Sequence, residues 1–179
     1  MTPPYLSRAF TLAVHPTSRG MGWIIFEGPF SPHDWGHATA RKGDKNATCL
    51  SYIEKLLARF SPETIVLEAF EKQRSSRADR ICRLGRAIVA LALEMRIDVA
   101  IYTRADIKGC FVSVGASTRQ QIAEAVARQF VPLRHRVPKA RKAWEADPPR
   151  MALFNAAALV LTHYQRGSMT VLGELYRSP

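Results

Sequence analysis

At 179 residues, with 47% apolar and 23% charged side chains, the chain is long enough to bury the core of one domain and too apolar to be disordered. No stretch approaches the roughly 20 apolar residues that span a bilayer. A net charge of +11, from 26 Lys and Arg against 15 Asp and Glu, points to a polyanionic partner. Nucleic acid ranks above membrane, because no long basic amphipathic helix with aromatic anchors accompanies the charge.

The opening MTPPYLSRAF lacks the apolar run of a secretory signal, and Cys49, Cys82 and Cys110 are scattered, without a CxxC zinc pattern. A reducing, cytoplasmic setting is the expectation. Thr11 to Val14 and Trp23 to Phe26 are predicted strands, joined by a turn carrying Pro16, Ser18, Gly20 and Gly22. Residues 34–40, DWGHATA, alternate weakly and add a third antiparallel strand. From Asn46 the period changes, and Leu50, Ile53, Leu56 and Leu57 mark a helix that stops before Ser61-Pro62.

TIVLE, residues 64–68, is a short apolar run read as a buried central strand with Glu68 at its exit. Ile81, Leu84, Ile88, Leu91 and Met95 lie on one face of a helix over about residues 76–96, and Val99 to Tyr102 form the next strand. A helix near residues 118–130 turns Ile122, Val126 and Phe130 inward, and a loop rich in Lys, Arg and Pro covers 132–147. Pro132 and Pro138 argue against a helix in that loop. The last helix opens at Asp147-Pro148, an N-cap followed by proline in the first turn, and runs through Met151, Phe154, Ala158, Leu159 and Leu161. The order β-β-β-α-β-α-β-α-α implies an α/β fold, a mixed five-stranded sheet flanked by helices, with three antiparallel strands followed by parallel ones. Residues 1–179 read as a single domain with its core over about 10–165.

In this order the ends of the first and fourth strands and the final helix can converge at one sheet edge. Those places hold His15, Glu68 and Asn155. Taken singly, His15 is a turn-facing histidine and Asn155 a core amide bonded to backbone. Glu68 after Ile-Val-Leu is harder to explain away, since its burial costs desolvation unless a cation meets it.

Taken together, the arrangement resembles the RNase H-like plan, and within it the RuvC family of Holliday junction resolvases. VHPTSRGMGWIIF is similar to the family's opening strand, polar turn and second strand. IVLEAF, a basic stretch and RLGRAIVALAL resemble its central strand with catalytic Glu and the following Leu-Gly helix. DIKGCFVSVGASTRQQIAEAV resembles its Lys-containing loop and the next helix, and FNAAALVLTHY the helix that brings its last acids. The departures are specific: the family's first acid falls on His15, its last on Asn155, and the position one turn earlier on Ala152 or Met151.

The resemblance implies a metal-dependent, structure-selective endonuclease that hydrolyses branched DNA in recombination and repair, with Mg²⁺ or Mn²⁺ held by His15, Glu68 and Asn155. Hard Mg²⁺ prefers carboxylate oxygens, whereas imidazole suits Mn²⁺ better. Lys108 and Arg119 match the family's two basic residues near the scissile phosphate. Further phosphate contacts are expected from Ser18, Arg19, Lys72, Arg74, Arg77, Arg80, Arg136 and Lys139, although charge runs are commonly solvated faces. His33, His37, His163 and the cysteines are read as packing or surface residues. A homodimer associated with the nucleoid is expected by analogy. Two alternatives remain open, a catalytically silent junction-binding protein and an RNA-processing nuclease on the same fold.

Overall fold

The computed structural model describes residues 9–70, 76–140, 142 and 148–175, with residues 76, 77 and 168–175 described by backbone alone. β1 (Phe10–Pro16), β2 (Gly20–Glu27) and β3 (Pro32–Thr39) form an antiparallel meander, and β4 (Thr64–Glu68) and β5 (Asp98–Tyr102) extend it in parallel. The strand order is β3-β2-β1-β4-β5. α1 (Lys45–Phe60) and α2 (Ser76–Glu94) cover one face, and α3 (Arg104–Phe111), α4 (Arg119–Gln129) and α5 (Met151–Leu175) the other.

Strand parity decides which residues reach which layer. On β1, Leu12 and Val14 pack with α1 and α2 while Ala13 packs with α5; on β4, Ile65 and Leu67 take the first face and Val66 the second. Continuing the alternation puts His15 and Glu68 on the α5 face. Because β1 and β4 are in parallel register through Val14↔Leu67, the next step sets the two residues side by side where the ladder ends. α5 is buried from Met151 through Val160, which explains an apolar pattern that runs all round the helix. The two layers meet closely at Gly22, where an added Cβ would lie 2.4 Å from the Ala152 carbonyl carbon. Asn155 follows one turn later.

Three local expectations are corrected. A short helix absent from the sequence reading, α3, follows β5; its eight residues include Gly109 and carry too little apolar periodicity to stand out. The predicted loop from residue 132 begins with a 3₁₀ segment, Val131–Arg136, in which Pro132 sits in the first turn, where its missing N–H is not needed. The last helix starts at Met151, after turns in which the amides of Met151 and Ala152 bond to the carbonyls of Pro148 and Pro149. Asp147, expected as its N-cap, lies outside the described residues.

Candidate active site

His15, Glu68 and Asn155 do converge. His15 Nδ1 lies 3.2 Å from Glu68 Oε2, and His15 Nε2 lies 3.2 Å from Asn155 Nδ2. The imidazole therefore stands between carboxylate and amide, one nitrogen turned to each. The Nδ1 contact is close but too misaligned to count as a hydrogen bond, so that buried nitrogen has no well-formed partner. With the proton on Nδ1 facing the carboxylate, Nε2 accepts from the Asn155 amide, a tautomer consistent with both neighbours.

Burial pushes the Glu68 carboxyl upward, yet contact with His15 and the charges of Arg104 and Arg119 outweigh burial and hold it below the ordinary value of 4.5. A carboxylate whose folded pKa is depressed contributes stability in full above its unfolded pKa, and that contribution is lost as pH falls through the folded value. The expected result is that Glu68→Gln weakens the acid sensitivity of unfolding below about pH 4.5. Urea titrations of both proteins from neutral to acidic pH check this; parallel curves would contradict it.

The three residues sit in an open cleft of about 1180 Å³, lined also by Ser18, Arg19, Arg104 and Arg119. Arg104 was missed by the sequence reading. It is the first residue of α3, after Thr103, whose hydroxyl caps the Asp106 amide while the Asp106 carboxylate bonds back to the Thr103 amide. Arg119 holds the same place in α4, where Thr118 and Gln121 form the equivalent box. A repeated Thr-Arg followed two residues later by Asp or Gln was the available signal. Burial, then Arg119, lowers the Arg104 pKa, with Glu68 opposing.

No protein-family model matches the chain. A crossover junction endodeoxyribonuclease RuvC from Chlorobium chlorochromatii is 28% identical over 88 residues, 49% of this chain and 45% of that protein, so the match spans less than half the relative's length. Thermus thermophilus RuvC superposes with a TM-score of 0.64 at 18% identity, covering 90% of this chain and 96% of that one. The fold is that of RuvC. T. thermophilus RuvC in complex with a Holliday junction substrate gives a TM-score of 0.66 at 16% identity with the same coverage, 90% and 96%. The yeast mitochondrial Holliday junction resolvase gives 0.56 at 15% identity, covering 89% and 81%.

Within this RuvC-like fold the other expected contacts are dispersed. Ser18 and Arg19 line the cleft, but Lys108 is exposed one turn further along α3 and is not among the lining residues. Arg80 is turned inward: its guanidinium donates to the carbonyls of Thr17 and Gly20 and to Asn46 Oδ1, so it braces the β1–β2 turn against α1 instead of presenting itself to phosphate. Lys72 and Arg74 lie outside the described residues, and the Arg77 side chain is not described. Arg136, whose Nε lies 3.1 Å from His135 Nε2, and Lys139 do not line the cleft. His33 on β3 pairs with Glu27 of β2 at 3.6 Å, and His163 Nδ1 on α5 lies 3.0 Å from the Tyr102 hydroxyl of β5, in keeping with structural roles.

The donor set does not fit the pair of hard cations that the resemblance implies. Among the described residues no group of three His, Cys, Asp and Glu gathers as a metal centre would need. Among the described residues Glu68 is the single carboxylate lining the cleft, with the imidazole against it and the guanidiniums of Arg104 and Arg119 lining the same cleft. Among the described residues no helix is long and apolar enough to cross a membrane.

Proposed function

We propose that this chain is a structure-selective endonuclease acting on branched DNA of the four-way junction kind, in recombination and repair. The observation that supports it best is the meeting of Glu68 with His15, Asn155, Arg104 and Arg119 in one cleft on a RuvC-like sheet. Glu68 is the principal carboxylate, His15 stands against it, Asn155 holds the imidazole, and the arginines bind and orient phosphate. The donors fall short of a metal pair, and cleavage with and without a divalent cation measures the dependence. A four-way junction offers two symmetric strands, for which a homodimer with paired sites is the matching assembly.

One observation favours a second reading, a junction-binding protein that does not cut: His15 turns one nitrogen to Glu68 and the other to Asn155, where an acid-rich site would keep its oxygens free. Cleavage of a labelled four-way DNA junction in Mg²⁺ and in Mn²⁺ separates the two. The expected result is slow cutting that falls at least about 100-fold in Glu68→Gln, as loss of a principal site group does. Tight, salt-sensitive binding without cutting in either metal would hand the function to the second reading. An RNA junction run in parallel tests the backbone preference.

A further inference from the structure

Among the described residues, five cationic side chains line the cleft, Arg19, Arg41, Lys45, Arg104 and Arg119, against one carboxylate, Glu68. Two divalent cations entering there would meet like charge on most sides, and partial burial strengthens the repulsion. A phosphodiester meets the opposite sign. Arg104 gives this field a definite centre. It lies two residues beyond Tyr102, the β5 partner of Glu68, and the Thr103–Asp106 capping box fixes where its helix begins. Arg119 is fixed likewise at the start of α4, and the charges of both guanidiniums act on Glu68. Two guanidiniums lining the cleft that holds Glu68 attract an arriving anion, and each presents a planar fork suited to phosphate oxygens.

We infer that Arg104, together with Arg119, grips the phosphodiester at Glu68 directly, so that fixed side chains supply the positive charge that a divalent pair supplies in an acid-rich site. Lys108, one turn further along α3, is then replaced in this role by Arg104. Preorganised charge of this kind needs no reorganisation when the phosphate arrives. The inference rests on the branched-DNA reading above and adds to it the residue that holds the phosphate.

The test uses the full chain and a labelled four-way DNA junction, with binding measured in chelator from about 50 to 200 mM salt. Arg104→Gln is expected to weaken binding about tenfold and to reduce the salt slope by about one. Arg104→Lys keeps the slope while losing part of the affinity, because an ammonium cannot replace the bidentate fork. Lys55→Gln, the same charge change on the exposed side of α1, leaves both unchanged. If Arg104→Gln behaves like Lys55→Gln, the inference is overturned. A second arm omits DNA and follows the free-ion resonance of Mn²⁺ alone. Equal signals with the unmodified chain and Glu68→Gln support the inference, and stoichiometric uptake that Glu68→Gln abolishes overturns it. Equal affinity for junction and plain duplex would sink the branched-DNA reading instead, and the Arg104 contrast is then read on the duplex.

Discussion

Exchanging His15 and Asn155 together for Asp is expected to raise four-way junction cleavage in Mg²⁺ by at least about 100-fold, the equivalent of roughly 2.7 kcal/mol of transition-state stabilisation. The reasoning starts from ligand chemistry. Mg²⁺ selects hard oxygens, and the cluster now offers one carboxylate, an imidazole turned toward it at 3.2 Å, and a neutral amide. The double exchange leaves three carboxylates near one another at the ends of β1 and β4 and on α5, and it offsets part of the cationic excess of the cleft. Without metal those carboxylates repel, so the variant should melt lower than the unmodified chain and recover on adding Mg²⁺, as a protein does when a ligand binds its folded state. Single-turnover cleavage and melting curves with and without Mg²⁺ measure both effects. A variant that neither cuts faster nor responds to Mg²⁺ in its melting would show that the shape of the cleft, and not the identity of two ligands, keeps metal out.

The second large effect concerns how the site is assembled. Gly22→Ala is expected to cost about 2–3 kcal/mol, within the range for overpacking a close contact. The melting temperature should fall by about 5–10 °C for a chain of this size. Gly22 pairs with His15 across β1 and β2, and the added methyl would stand 2.4 Å from backbone carbon and 2.6 Å from the Ala152 Cβ. Neither neighbour is a flexible side-chain end, so β2 and α5 must separate. That movement carries Asn155 away from His15. Junction cleavage should therefore decline further than the loss of folded protein explains, which activity normalised to the folded fraction would reveal. A variant with unchanged stability and activity would mean that α5 slides along the sheet without disturbing the site.

Much of the architecture was legible in local pattern. Period-two alternation marked β1 and β2, the apolar run TIVLE marked a strand buried on both faces, and period 3.6 marked α1, α2 and α4, because each pattern reports which side of an element meets the core. The short α3 was not legible, since eight residues with a glycine show barely two turns of period, and its capping box was the better signal. For the cluster, the sequence by itself determined that His15 and Glu68 end their strands and that Asn155 lies on an apolar helix. Parity then required the first two to share a face once β1 and β4 paired in register.

Which cations join them was decided by the tertiary structure alone. Arg80 and Arg104 are equally basic in sequence, but a guanidinium's role depends on what surrounds it. Packing between α1 and α2 commits Arg80 to the carbonyls of Thr17 and Gly20, whereas the start of α3 delivers Arg104 into the cleft beside Glu68. Hydrophobic periodicity reports burial against a core and carries no information on the direction of a long charged side chain. That direction is set by contacts between elements far apart in the chain.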